Sequence, residues 1–363
     1  MIRGGATTFY RIITAVMFGA LAAVAGAAAE PLPLLRPGAN PDVMRLASLP
    51  FDPGGAMAVG DGKWRVTASV NYCNVWNHTS HLLTLHREAG RVGLPVSSEE
   101  LTALAARYPD QAYQFLDVEA WWTEVWVQYG LGRGVTATLR VPFLDVGRPH
   151  WDAIAERWHT WLNLPNFNRN EFPRGQTLVY IKGPGGTVER RDLARAGFGD
   201  ASLSLAIPAG EWLGARHRAV LATEAPTGKR STLHGSGGWD IGVRLFSQWG
   251  GARISFISGL GYTWPSSRGT LLGLARSNVW HTMVGFDWRI WRSLLAMLRV
   301  QWERSLLAEA AGDRLAKPTL SKRFGVAFGL SPSVWLALDS GQDSVRNGLA
   351  PDYSFHLTVG GRL

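Results

Sequence analysis

Residues 280–303 read WHTMVGFDWRIWRSLLAMLRVQWE, and this stretch decides the fold. On either side of Trp291, every second residue is mostly apolar, and most of the residues between are polar or glycine. Side chains of a β-strand point alternately to its two faces, so each half is a strand with one apolar wall and one polar wall. The single residue between the halves predicts two strands joined by a tight turn.

The same period of two recurs along the chain from residue 62 to the C-terminus. We predict twelve strands, at residues 62–77, 114–129, 134–146, 199–209, 216–226, 238–249, 252–264, 276–290, 292–304, 320–330, 332–340 and 352–363. The connections after even-numbered strands are short, whereas those after odd-numbered strands are longer, up to residues 78–113 and 147–198. Short turns that alternate with long loops, with an even strand count, are typical of a bacterial outer-membrane barrel and not of a soluble sandwich.

Strand length and aromatic placement indicate the same fold. Many segments have ten residues or more, against about five or six in globular proteins and about nine to eleven in strands that cross a bilayer. Tryptophans near segment ends favour the membrane–water interface. These residues are Trp64, Trp76, Trp126, Trp249, Trp264, Trp288 and Trp302. We therefore predict an all-β fold, a single antiparallel transmembrane β-barrel of about twelve strands, with one short helix in a long outer loop.

The N-terminus indicates export. Residues 1–29 contain two arginines, an apolar stretch and an alanine-rich end, which is the pattern of a cleaved signal peptide. Residues 30–61 form a short Pro-rich lead that we predict to lie in the periplasm, and residues 62–363 form the barrel. Together these features predict a location in the bacterial outer membrane.

Composition and charge exclude several other classes of protein. The chain carries a formal net charge of +9, but its arginines recur singly within strand-like segments, so we expect no nucleic-acid partner. Its one cysteine excludes a disulfide scaffold. We expect no catalytic residues, no metal site and no cofactor. The expected partners are outer-membrane lipid, lipopolysaccharide and the barrel-assembly machinery, and the oligomeric state stays open.

Several loop motifs resemble a known family. They are residues 161–169 (WLNLPNFNR), 172–174 (FPR), 197–200 (GFGD), 225–228 (APTG) and 235–240 (GSGGWD). On these motifs the chain resembles the Domain of Unknown Function 3187 family of bacterial proteins, and it is similar also to barrels linked to the meta-pathway of phenol degradation. The resemblance implies an outer-membrane β-barrel and carries no established activity.

The polar faces of the predicted strands indicate a charged lumen. The residues that we expect to line it are Arg65, Arg140, Arg244, Arg253, Asp287, Arg299, Glu303 and Arg323. Two interpretations remain open, because an isolated buried charge is very costly and must be paired or hydrated. Either internal salt bridges close the lumen, or a water-filled path with an arginine excess selects anions.

The long connection 147–198 contains a segment with helical periodicity. Trp151, Ile154, Trp158 and Leu162 recur at the spacing of one helix face. We predict a short helix at residues 150–164 that folds into the barrel as a partial plug or gate. The alternative is a helix that lies on the membrane rim with its tryptophans in the interface.

The leading functional hypothesis is a passive channel, a porin-like conduit for a small solute. One alternative is an outer-membrane enzyme that acts on lipid, which requires a serine or carboxylate within reach of His281 or His356. Another is a closed structural barrel whose loops bind a surface partner. A lumen filled by side chains from end to end would favour that last alternative.

Overall fold

A computed structural model gives the structure of the protein. It describes residues 48–52, 57–147, 151–161, 166, 168–193, 195–266, 269–271, 273–308, 315–343 and 353–362. The predicted signal peptide and residues 30–47 and 53–56 of the predicted lead lie outside the described residues.

The strands follow one another with few helices between them. In chain order they are β1 (Trp64–His78), β2 (Tyr113–Gly132), β3 (Val135–Gly147), β4 (Leu178–Gly183), β5 (Gly186–Arg190), β6 (Arg195–Phe198), β7 (Ala201–Trp212), β8 (Ala215–Ala225), β9 (Asp240–Gly250), β10 (Ile254–Pro265), β11 (Thr270–Leu271), β12 (Leu274–Ala275), β13 (Val279–Trp291), β14 (Leu294–Glu303), β15 (Thr319–Gly329), β16 (Val334–Asp343) and β17 (Tyr353–Arg362).

Twelve of these strands form a closed antiparallel barrel, which confirms the predicted fold. The ring runs β1, β2, β3, β7, β8, β9, β10, β13, β14, β15, β16 and β17. It closes because β17 pairs with β1, from Arg65 opposite Arg362 to Asn74 opposite Tyr353. The tight connections gather at one end of the barrel, the short-turn end, and the long connections gather at the other, the long-loop end.

Alternation along each strand separates an apolar outer face from a largely polar inner face. On β13, Trp280, Val284 and Trp288 point outward and are exposed, whereas His281 and Asp287 point inward and are buried. Trp126, predicted for the outer face, instead points into the lumen, where its Nε1 donates to Glu124 Oε2 at 3.2 Å. The pairings of β2 with β1 and with β3 keep their register past Trp121 and Trp122. These two neighbouring residues therefore point to opposite faces of the wall.

Strands β1 and β2 continue past the rest of the wall at the long-loop end and carry a small subdomain. It contains the β4–β5 hairpin, α1 (Ser80–Glu88) and α2 (Ser98–Arg107), and α3 (Asp152–Trp161) lies beside it. The α2 helix starts at a capping box, in which Ser97 and Glu100 each satisfy the other's backbone N–H. The structure confirms the predicted helix in the β3–β7 connection and adds two helices in the β1–β2 connection. None of the helices in the described residues is long and apolar enough to cross a membrane.

Candidate functional site: the barrel lumen

The lumen contains most of the charged residues predicted to line it. Seven of the eight lie on inward-facing positions and are buried: Arg65, Arg140, Arg244, Asp287, Arg299, Glu303 and Arg323. The exception is Arg253, which lies in the turn between β9 and β10 and is exposed. Its carbonyl accepts a hydrogen bond from the backbone N–H of Arg289 at 2.8 Å. Strand β10 therefore begins at Ile254, two residues later than the predicted strand.

Three of the lumen arginines are neutralised by carboxylates on neighbouring strands. Arg140 lies 2.5 Å from Glu124, and Arg299 lies 2.5 Å from Asp287. Arg323 forms an equally buried ion pair with Asp339. These pairs favour the internal salt-bridge interpretation for this part of the wall, because each charge is compensated where it is desolvated.

Two further lumen arginines, Arg65 and Arg244, have different contacts. Arg65 donates to the backbone oxygen of Ala58 at 3.2 Å, and its other Nη lies 3.5 Å from Gln128 Oε1. Arg244 is 6% exposed, and its Nε and Nη2 have no hydrogen-bond partner in the described part of the protein. Asp52 interacts with Arg244 electrostatically across the lumen. Arg244 therefore presents unsatisfied donors to the interior of the barrel.

Residues 48–52 and 57–61, which precede the first strand, lie inside or at the mouth of the barrel. At the short-turn end, the N–H of Val59 donates to Thr136 Oγ1 at 3.1 Å. Near the long-loop end, the N–H of Leu49 donates to Asp240 Oδ2 at 3.2 Å. This part of the lead thus differs from the prediction of a periplasmic location, and we call residues 48–52 and 57–61 the luminal segment.

A slot lined by glycines receives the luminal segment. A Cβ on Gly261 would lie 2.7 Å from Cε2 of Phe51, and one on Gly242 would lie 2.8 Å from Cδ2 of Leu49. Both distances are shorter than van der Waals contact, so a side chain at Gly261 would clash with the Phe51 ring, and one at Gly242 would require Leu49 to shift. A Cβ on the neighbouring Gly259 would lie 2.7 Å from Cε1 of Phe246 and 2.9 Å from Cζ of Phe51. The wall of β9 and β10 is therefore shaped around the side chains of a separate piece of chain.

A continuous apolar cluster closes the long-loop end of the lumen, and we call it the apolar cap. It comprises Cys73, Val75, Leu116, Val118, Ala120, Trp122, Leu144, Val146, Val179, Ile181, Val188, Leu193, Leu233, Leu271, Leu274, Val279, Leu306, Leu307 and Leu315. The cap includes inward-facing residues of both β2 and β13, which are six strands apart in the ring of twelve and thus on opposite walls. Loop residues such as Leu233 and Leu307 fill the space between these walls.

The predicted plug helix lies outside the barrel. Trp151, directly before α3, packs against the rings of Tyr72 and Trp121 at 5.1 Å, and both of those residues belong to the outer face. Its N–H donates to Glu119 Oε2 on the same face at 3.0 Å. The prediction of a plug or gate is therefore corrected: α3 lies against the outer wall because β1 and β2 present polar and aromatic side chains there. Ile154 and Trp158 belong to this helix, and Leu162 lies outside the described residues.

The outer wall above α3 also carries a buried cation. Arg169 Nη2 donates to Asn74 Oδ1 at 2.8 Å and lies 3.2 Å from Asp152, while its guanidinium packs over the Trp76 ring. Trp76, predicted for an aromatic girdle, is covered by this loop. Two residues further along, Glu171 accepts a bidentate pair of hydrogen bonds from Arg87, which lowers the pKa of the Glu171 carboxyl. This arrangement ties the β3–β7 connection to α1.

Two histidines on the inner wall have partners that sequence reasoning did not place. His281 Nδ1 lies 2.6 Å from Glu303 Oε1, and its Nε2 lies 3.2 Å from Thr263 Oγ1. His356 Nδ1 lies 2.7 Å from Asn71 Oδ1, and its Nε2 lies 3.2 Å from Ser354 Oγ. The described residues contain no group of three or more side chains with metal-ligating potential.

Taken together, the closed wall, the apolar outer face and the occupied polar lumen define the class as a twelve-stranded membrane-type β-barrel. The chain belongs to the family described as protein of unknown function (DUF3187), whose model matches residues 49–362. This match confirms the family resemblance inferred from the loop motifs. The matched region begins at Leu49 and therefore includes most of the luminal segment.

Solved structures with a similar fold are outer-membrane barrels. The COG4313 outer membrane channel from Pseudomonas putida F1 is 12% identical, with a TM-score of 0.51, over 86% of this chain and 99% of that one. The NanC porin is 11% identical, with a TM-score of 0.42, over 67% of this chain and 94% of that one. At 12% identity the likeness to the COG4313 channel shows the fold alone. No curated protein matches the chain.

Proposed function

We propose that the protein is a bacterial outer-membrane conduit for a small solute, and that the luminal segment and the apolar cap hold it closed at rest. The exposed apolar outer face, with tryptophans at strand ends such as Trp264 and Trp288, supports a location in a bilayer. By the usual sidedness of such barrels, the long loops face the exterior and the short turns face the periplasm.

The observation that carries this proposal is the glycine-lined slot around the luminal segment. A barrel that is closed permanently can fill its interior with side chains from its own wall, as small barrels do. Here Gly259 and Gly261 leave space on the inner wall, and Phe51 fills it from a segment that precedes the first strand. Because the segment is held in this slot by noncovalent contacts, its departure opens a path along β9 and β10.

The paired charges limit how strongly such a path selects ions. Arg140, Arg299 and Arg323 are each compensated by a carboxylate, so they add little net positive potential. Within the part of the chain that the structure describes, Arg244 retains two donors without hydrogen-bond partners beside the slot. We therefore propose a modest preference for anions that depends on Arg244 rather than on the whole set of arginines.

The conduit proposal assigns no catalysis to the lumen, but one geometry favours ester hydrolysis as a second candidate. Ser354, His356 and Asn71 are arranged as nucleophile, base and orienting group. All three residues are fully buried, and the backbone oxygen of Gly341, 3.3 Å from Ser354 Oγ, competes with His356 Nε2 for the single hydroxyl hydrogen. Labelling of Ser354 by a fluorophosphonate, lost in Ser354→Ala, would support this candidate. An unlabelled chain under conducting conditions would exclude it.

Single-channel recording tests the conduit directly. The mature protein, refolded and reconstituted in a planar bilayer under a salt gradient, should be closed most of the time and should open in discrete steps. The reversal potential should indicate a weak preference for anions, and Arg244→Ala should remove that preference. A heat-modifiable, folded barrel that never conducts, even with the luminal segment destabilised, would contradict the proposal and favour a closed structural barrel.

A further inference from the structure

The luminal segment places a ring and a carboxylate side by side in the lumen. Phe51 and Asp52 are consecutive residues and are 2% and 4% exposed, respectively. The ring and the carboxylate each interact with a different part of the inner wall.

The ring of Phe51 lies in an apolar, aromatic pocket. It is stacked on His281 with the ring planes 2° apart and 5.1 Å between centroids, and it contacts Phe246 at the same centroid distance. Ile257 and Met283 complete the pocket. Because Gly259 and Gly261 carry no side chains, the wall leaves room beside them for the Phe51 ring.

The carboxylate of Asp52 interacts electrostatically with Arg244 and Arg140. Arg140 already donates to Glu124 through Nε and Nη2, at 3.1 and 2.5 Å. Arg244 instead keeps Nε and Nη2 without a hydrogen-bond partner among the described residues, although it is more than nine-tenths buried. Leaving charged donors unsatisfied in a buried site costs free energy, which a bound carboxylate would recover.

We propose that this pocket is the solute site of the conduit and that it binds a small aromatic carboxylate, with Phe51 and Asp52 as its internal stand-in. The inference rests on the proposed function, because it names the class of solute for the same lumen. The ring of the solute replaces the Phe51 ring between His281 and Phe246, and its carboxylate engages Arg244. Solute and luminal segment then compete for one site, so binding of the solute favours the open state.

Calorimetry with the folded full-length mature chain in detergent tests this site, with 3-phenylpropionate as the probe and neutral 3-phenylpropanamide as its matched control. The double variant Phe51→Ala/Asp52→Ala empties the pocket and should bind 3-phenylpropionate at least tenfold more tightly than the wild type. In that background the acid should bind at least tenfold more tightly than the amide. Adding Arg244→Ala should abolish the preference for the acid, whereas Arg244→Lys should keep part of it.

A second variant tests the ring pocket. In the same double-variant background, Gly261→Val fills the slot from the wall and should abolish binding of both probes, while the folded band on a heat-modifiability gel persists. Equal binding of acid and amide, or tight binding that survives Gly261→Val, would overturn the inference.

Calorimetry needs no ion flow, so the two proposals fail separately. If calorimetry shows selective binding of the acid but the bilayers show no current, the solute site is supported and the conduit is refuted. Conducting bilayers without selective binding would keep the conduit and refute the site.

Discussion

Truncation of Phe51 should release the luminal segment. Phe51→Ala removes a ring that is 2% exposed, stacked on His281 and in contact with Phe246, and loss of a buried phenylalanine costs about 3–5 kcal/mol. Water can refill a polar lumen, so we take the lower figure of about 3 kcal/mol for the weakened docking of the segment. At about 1.4 kcal/mol per tenfold change, this shifts the equilibrium between docked and released segment by about 100-fold.

The assay for this prediction is the open probability of single channels. Phe51→Ala should raise the open probability strongly towards saturation, with unit conductance little changed because the wall is intact. Phe256→Ala is a matched control, since it deletes the same side chain from β10 at an exposed, outward-facing position. Equal open probabilities in wild type, Phe51→Ala and Phe256→Ala would refute the view that the luminal segment controls conduction.

Two further predictions concern the wall and the outer subdomain. Asp287→Ala leaves Arg299 buried without its carboxylate and should lower the free energy of unfolding by about 3–5 kcal/mol in urea titrations, and a loss below about 1 kcal/mol would contradict the pairing. Arg87 lowers the pKa of Glu171, so their hydrogen-bonded pair stabilises the fold at pH values above the ordinary glutamate pKa of about 4.3. This stabilisation is lost as the pH falls through the lowered pKa of Glu171. Hydrogen exchange around Phe172, corrected for the intrinsic rate, should therefore increase at acid pH in the wild type. It should already be increased at neutral pH in Arg87→Ala, and exchange independent of both changes would contradict the assignment.

The period-two pattern was sufficient to predict the barrel. Alternation depends only on the local geometry of a strand, so stretches such as 280–303 carry it whatever surrounds them. The predicted connection from 147 to 198 contained its helix for the same reason, since helical spacing is equally local. The pattern also placed seven of the eight predicted lumen residues on the correct face. It missed at Arg253, where a turn shifts the start of the strand, and it placed Trp126 on the outer face although its ring lies in the lumen.

Contacts between distant parts of the chain could not be predicted in this way. The Phe51 site joins a residue before the first strand to glycines on β10, and a pattern read along the sequence contains no information about that pairing. The apolar cap likewise combines β2, β13 and several loops. One signal was present: Gly259 and Gly261 occupy successive inward positions of β10, and such a gap in a wall indicates that something packs against it.

The same limit explains why α3 was placed wrongly. Helical spacing predicts an apolar face but not which surface covers it. Tyr72 and Trp121 form that surface, and both point outward because they alternate along β1 and β2 with inward-facing residues such as Asn71 and Trp122. A plug helix would have needed a matching apolar partner inside the lumen, and that position is taken by the cap.

Reactivity of Cys73 during conduction tests the central claim most directly, because the only cysteine of the chain is a fully buried member of the apolar cap on the inner wall. A charged, membrane-impermeant methanethiosulfonate reagent should react slowly with the closed wild type. We predict that the reaction accelerates at least tenfold in the conducting Phe51→Ala variant and lowers its current. The same variant with Cys73→Ser added should conduct without responding to the reagent. A current that flows while Cys73 stays unreactive would show that ions do not pass the cap, and would contradict a conduit through the lumen.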